Sequence, residues 1–201
     1  ADKSQSTALR RQALDALVND GLIYRQRGRG TFVAHPTVEQ ALTRIISFTE
    51  DMRQRGFSPG TEILSAELIS APRDIADKLQ IKVGAELARL ERLRLADGEP
   101  MSIEESYLVH QLCPNILDDD YAHTPLREAL ERDYDIRLVR AKQTIKAISA
   151  PAAVAGKLSI AAKAPLLFIE RVTYSDQGLP VEFLRLYHRG DRYTLYNELR
   201  D

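Results

Sequence analysis

One stretch of the chain occurs twice. "ISAPRDIADKLQI" begins at Ile69 and "ISAPAAVAGKLSI" begins at Ile148, an offset of 79 residues. Eight of the thirteen positions are identical, and at the same offset Glu91-Arg92 recurs as Glu170-Arg171. Each copy reads as a strand, a short helix opened by proline and a long hairpin. The first hairpin, "LARLERLRLADGEPMSIEESYL", turns at Asp97-Gly98, and the second, "LLFIERVTYSDQGLPVEFLRLYH", turns at Asp176-Gln177-Gly178. Alternating polarity around Asp-Gly and Gly-Leu-Pro is hairpin chemistry. A period this long with so few copies is no solenoid. It predicts two strand–helix–hairpin units paired into one antiparallel sheet. Between the copies, "TPLREALERDYDI" predicts a helix capped at Thr124, with Leu126, Ala129, Leu130 and Tyr134 on the stripe that covers the sheet.

The start of the chain has another character. Residues 6–20 read as a helix stopped by Gly21, with Leu14, Leu17 and Val18 on one stripe. Two short strands follow, joined by "RQRGRG". Residues 1–34 hold six Lys/Arg against three Asp, a net of +3, although the whole chain is −1. A basic end on an acidic body suits a polyanion. Arg25, Arg27 and Arg29 alternate, so on a strand all three would face one way. Gly28 and Gly30 allow a tight turn. The alternative is a solvated hairpin whose charges serve solubility. After His35 and Pro36, residues 38–56 predict a connecting helix with a Leu42, Ile45, Ile46, Thr49 and Met52 stripe.

Both ends resemble known parts. "ALDALVNDGLIYRQRGRGTFVA" is similar to the end of a GntR-family DNA-binding domain, from the recognition helix through the wing. The resemblance starts after the family's first two helices, so a partly missing winged helix-turn-helix is expected over 1–35, with a linker and connecting helix over 36–56. Residues 57–201 resemble the UTRA effector-binding domain of the HutC subfamily, whose sheet is similar to that of chorismate lyase. "ERLRLADGEPMSIEESYL" and "GLPVEFLRLYHRGDRY" carry that match. The fold class implied is α+β, a winged helix-turn-helix joined to a chorismate-lyase-like domain. The function implied is a sequence-specific transcription regulator, with a repressor expected, controlled by a metabolite. It would bind double-stranded operator DNA as a homodimer, since two recognition helices must meet two half-sites.

The residues divide accordingly. Ser6, Arg10, Arg11, Arg25, Arg27, Gly28, Arg29, Gly30 and Thr31 are the DNA candidates, because phosphate neutralisation supplies most DNA affinity. Arg92, Arg94, Ser102 and Glu104 are the effector candidates from the first hairpin. A three-residue turn would place all four on one sheet face, and a two-residue turn would not. Two guanidiniums on one face can clamp a phosphate or a carboxylate, and the alternative is a cross-strand salt bridge. The resemblance adds Thr124, Glu182 and His188, with Arg185 as a ligand-contacting or supporting group. His188 stands where the family commonly has Tyr, so a sugar-phosphate ligand does not carry over. The effector expected is a small anion: a phosphorylated sugar, a carboxylate or an amino-acid derivative.

Catalytic signatures do not accompany these residues. There is no Cys/His metal spacing, no Gly-rich phosphate loop before a helix and no nucleophile elbow. No metal, cofactor or enzymatic activity is expected. Glu104 with Arg92 as acid and anion clamp of a lyase-like enzyme remains the alternative. The apolar runs are too short to span a membrane, and Cys113, the single cysteine, fits a reducing cytoplasm.

Overall fold

The computed structural model describes residues 11–18, 23–33, 38–41 and 46–198. The chain forms two compact units, Ala1–Val38 and Glu39–Asp201.

In the first unit, residues 11–18 form helix α1. Strands β1 (Ile23–Gln26) and β2 (Gly30–Val33) pair antiparallel, Ile23 opposite Val33 and Gln26 opposite Gly30. Tyr24 stacks on Phe32 with ring centroids 5.5 Å apart. Arg27, Gly28 and Arg29 are the turn itself, closed by the Arg29 N–H donating to Gln26 O at 3.0 Å. Gly28 and Gly30 have φ of 78° and 120°, a region that L side chains avoid. The expected order of helix, strand, basic tip and strand therefore stands. The expectation that three arginines share one strand face does not, because only Arg25 lies on a strand.

The second unit departs from expectation at its start. Instead of one helix over 38–56, Val38–Ala41 is a strand, β3, and the helix α2 spans only Phe48–Gln54. Strand β3 pairs with β10 (Tyr193–Tyr196). Ser47 sets the start of α2, since its side-chain oxygen accepts from the Glu50 N–H at 3.2 Å. Phe48, Asp51 and Met52 are its buried residues, while Leu42 and Ile45 lie outside the described residues.

The repeat then builds the sheet. Strands β4 (Pro59–Ser70), β5 (Glu86–Ala96) and β6 (Glu99–Val109) come from the first copy. Strands β7 (Leu138–Ser149), β8 (Pro165–Ser175) and β9 (Pro180–Arg189) come from the second. A shift of 79 residues carries β4 onto β7 and β5 onto β8 end to end. The six strands run antiparallel in the order β4-β5-β6-β9-β8-β7. That order reads the same from either side when the copies are exchanged. A pseudo-two-fold axis therefore passes between β6 and β9, where Glu105 faces Arg185 and Ser106 faces Leu184. Each hairpin leaves one edge unpaired, and the copies satisfy those edges against each other.

Helices cover both faces. Helices α3 (Arg73–Leu79) and α5 (Ala152–Lys157) lie on one. Ile75, Ala76 and Leu79 of α3 pack with Leu87, Tyr107, Val172 and Phe183, so the first copy's helix seals strands of the second. Ala155 and Leu158 pack with Leu93, Ile103 and Leu166. Helix α4 (Leu126–Tyr134) covers the other face, burying Leu126, Ala129 and Leu130 against Ala88, Leu90, Leu108 and Leu138. Each buried leucine here contributes roughly 1.5–3 kcal/mol. The cap of α4 is Pro125, not Thr124, and no side chain caps it. Thr124 is instead held by its backbone, donating to Asp120 O at 2.9 Å.

The first hairpin shows how faces are set. Ala96 faces Glu99, so the turn has two residues, with Asp97 at φ 51° and Gly98 at 79°. A two-residue turn alone would put Arg94 and Ser102 on opposite faces. A bulge corrects this: Leu95 faces Pro100 while Arg94 faces Ser102, leaving Met101 as the extra residue. The second hairpin uses the same device at Val181, between the Tyr174–Pro180 and Thr173–Glu182 pairs. Among the described residues no helix is long and apolar enough to cross a membrane.

Candidate functional site

Along β5, residues at even positions share the α4 side of the sheet, with Ala88 and Leu90 under α4 and Arg92 and Arg94 beyond its end. There the sheet, α2 and the start of α4 line a cavity of about 100 Å³. Its floor carries Arg92 and Arg94 from β5, Glu104 from β6, Glu182 and His188 from β9, and Arg171 from β8. Phe48, Asp51, Leu126 and Tyr193 are among the other wall residues.

The charges are arranged closely. Arg92 Nη2 lies 3.0 Å from Glu104 Oε2, and Arg94 Nε lies 3.6 Å from the same oxygen. Arg94 also donates from Nη1 to Thr61 Oγ1 at 2.8 Å and from Nη2 to Thr49 Oγ1 at 3.1 Å, and sits 4.7 Å from the Phe48 ring centroid. Burial pushes the Glu104 carboxyl up, but Arg94 and Arg92 outweigh it and hold the group below the usual carboxylate range. Glu182 goes the other way: burial pushes it above that range, with Ser106 and Arg92 offsetting only part. Burial also lowers His188 to about 4, despite Glu104 nearby, so its ring is neutral at pH 7. It lies against Tyr193 with centroids 4.0 Å apart. Guanidiniums stay charged even where burial lowers them, as for Arg94 and Arg171. Three cations thus surround one firmly ionised carboxylate. Arg92 Nε, Arg94 Nε, Ser102 Oγ and His188 Nδ1 are buried without a hydrogen-bond partner among the described residues. Such groups cost free energy unless something completes them.

Of the effector candidates, Arg92, Arg94, Glu104, Glu182 and His188 come together in the cavity wall. Ser102 is fully buried, facing Arg94 on one side and His188 on the other. Thr124 is not in the wall, although its neighbours Pro125 and Leu126 are. Arg185 belongs to the opposite face, pairing with Asp74 at 2.8 Å and lying 3.9 Å from Glu170. Sequence reasoning missed Arg171, Phe48, Asp51 and Tyr193 as wall residues. For Arg171 the signal existed, since the repeat equates it with Arg92.

The DNA candidates belong to the first unit. Ser6 and Arg10 lie outside the described residues. Arg11, Arg25, Arg27, Gly28, Arg29, Gly30 and Thr31 are all exposed. Arg25 is engaged by Asp15 at 2.6 Å, which leaves Arg27 and Arg29 as the leading cations of the tip. Among the described residues no group of three His, Cys, Asp or Glu is placed to hold a metal ion.

His188 gives the site a pH signature. Its folded-state value of about 4 lies below the ordinary 6.5, so the unfolded chain binds the extra proton between those limits. Stability from this group is full above pH 6.5 and falls as pH drops toward 4, by up to roughly 3 kcal/mol. Glu182, raised above its ordinary value, works in the opposite sense. The comparison is therefore between His188→Gln and the parent. Urea unfolding at pH 7 and at pH 4.5 is expected to show the parent losing more stability than the variant. Equal losses would mean that His188 is not buried neutral.

Comparison with known proteins follows the same lines. The UTRA domain model matches residues 54–194. The HTH-type transcriptional repressor NagR of Bacillus subtilis is 40% identical over 184 residues, covering 92% of this chain and 75% of that protein. The repressor PhnF of Mycolicibacterium smegmatis is 33% identical over 184 residues, covering 92% and 74%. The crystal structure of PhnF from Mycobacterium smegmatis superposes with a TM-score of 0.81 at 31% identity, covering 94% of this chain and 83% of that one. With the doubled sheet, the buried cationic cavity and the basic hairpin on one chain, these matches show that it belongs to the UTRA-domain family of GntR-type, HTH-class transcription regulators.

Proposed function

We propose that the chain is a repressor that leaves operator DNA when a small anionic metabolite enters the cavity of its second unit. The observation that carries this reading is the set of buried guanidiniums around Glu104, whose unpartnered nitrogens an anion would complete. The repressors named above support the DNA-binding role over a lyase-like one. Operator half-sites call for a homodimer acting in the cytoplasm.

Arg94 supplies the coupling. Its guanidinium holds Thr49 and covers Phe48, both on α2. An anion that takes those donors competes directly with α2. In sequence, α2 follows the basic hairpin through β3, so the coupling element is a short strand and helix rather than one long helix. A ligand shifts operator binding only if it favours one arrangement of this element over the other.

A thermal-shift screen of phosphorylated sugars, amino-acid derivatives and small carboxylates tests the reading. At a hundredfold excess over Kd, a ligand adds about 2.7 kcal/mol, or about 5–10 °C in Tm for a chain of this size. At least one anion is expected to do so, with its neutral analogue giving little. No shift from any anion, or equal shifts from neutral analogues, would remove the cavity from the account.

A further inference from the structure

The two copies differ at one telling place. The 79-residue shift carries Arg92 onto Arg171, and both face the cavity from mid-strand. Across its hairpin Arg92 faces Glu104, but Arg171 faces Leu184. The second copy keeps the cation and has an apolar residue where the first has the carboxylate. Arg171 donates from Nε to Gln143 Oε1 at 3.0 Å and, among the described residues, joins none of the ion pairs.

Elsewhere this sheet pairs its covered arginines. On the α3/α5 face Arg89 meets Glu67 at 2.7 Å and Glu91 at 3.2 Å, and Arg185 meets Asp74 at 2.8 Å. In the cavity, Glu104 is already shared by Arg92 and Arg94. Glu182 is the other carboxylate whose field reaches Arg171, and burial drives it toward its neutral form. A half-buried cation without an ion pair of its own is costly, and such sites are where ligands supply the missing charge.

We propose that Arg171 is a second anion seat in the cavity, across its floor from the Arg92–Arg94 seat, and that the effector carries an acidic group at each end of a short frame. Strand order puts two strands between β5 and β8, and Ile169, not Arg171, is level with Arg92, so the backbones of Arg92 and Arg171 stand about 16 Å apart. Both side chains rise from the same face of the sheet, into one cavity floor. The small volume limits the frame to a few carbons. The proposal rests on the effector reading above and narrows the chemical class of its ligand.

Glycerol 3-phosphate and 3-phosphoglycerate are suitable probes. They share the phosphate and the three-carbon frame and differ by a carboxylate in place of a hydroxymethyl group. In thermal-shift titrations 3-phosphoglycerate is expected to bind about tenfold more tightly, a further ~3–6 °C at equal concentration. Arg171→Gln is expected to remove that increment and leave the glycerol 3-phosphate shift unchanged. Without probe, the same variant is expected to be at least as stable as the parent, because the cation it removes has no ion-pair partner among the described residues. Arg92→Met with Glu104→Met is expected to abolish both shifts. Equal shifts with the two probes, no shift with either, or an increment that survives Arg171→Gln would overturn the second seat. If glycerol 3-phosphate still binds through Arg92, the cavity reading stands while the second seat falls. A blank result here together with a blank metabolite screen removes both.

Discussion

Arg92→Met alone is expected to cost about 3–5 kcal/mol of stability, and Arg92→Met combined with Glu104→Met far less. Arg92 is 5% exposed and Glu104 7%, so deleting one partner strands a charge that cannot return to water. Arg94, at 3.6 Å, softens the loss and places it toward the lower end of that range. Because domains are stable by only about 5–15 kcal/mol, the single variant is expected to lose a large part of its margin. The double variant replaces charges by apolar groups of similar length beside Leu184 and Leu186, and removes the desolvation penalty along with the attraction. Urea unfolding measures all three changes. The double variant is then expected to fold yet give no thermal shift with any anion. That outcome would separate what the pair does for the fold from what it does for the ligand. A double variant as unstable as the single one would make the pair a structural keystone instead.

The sheet was legible because the repeat is in the residues themselves: Pro72 and Pro151 announce the same helix, and the shared offset puts β4 on β7. The facing of the site was not. Asp97-Gly98 is the strongest short hairpin signal, and it correctly gives a two-residue turn. The bulge at Met101, which brings Arg94 and Ser102 to one face, has no residue signature, since a bulge is a property of pairing rather than of one side chain. Arg171 was visible as a repeat of Arg92 but needed the palindromic strand order to place it in the same cavity. The reading of 38–56 failed for another reason. Apolar residues at helical spacing ran across Ser47, and the periodicity masked a cap that starts the helix at Phe48. Strand pairing with Tyr193–Tyr196 then overrode local preference at Val38–Ala41. At the basic tip, alternation suggested a strand, while Gly28 and Gly30 were the better guide to a turn.

The second large effect concerns DNA. Arg27 and Arg29 stand exposed on a tight turn, and each phosphate that they neutralise contributes a counterion to the salt dependence. Arg27→Ala and Arg29→Ala are each expected to weaken binding on all sequences alike and to reduce the log–log salt slope by about 0.9. Arg25→Ala is expected to do less, since Asp15 already holds that side chain. Neither tip variant is expected to change the thermal shift given by a metabolite, because the cavity is built within Glu39–Asp201.

The most direct measurement is fluorescence anisotropy of a labelled operator, selected from genomic fragments by the protein itself, titrated with and without a saturating metabolite from the thermal screen. Operator affinity is expected to fall at least ~10-fold, a coupling of about 1.4 kcal/mol, and to stay unchanged in the Arg92→Met/Glu104→Met variant. A metabolite that fills the cavity and raises Tm yet leaves operator affinity where it was would contradict the account.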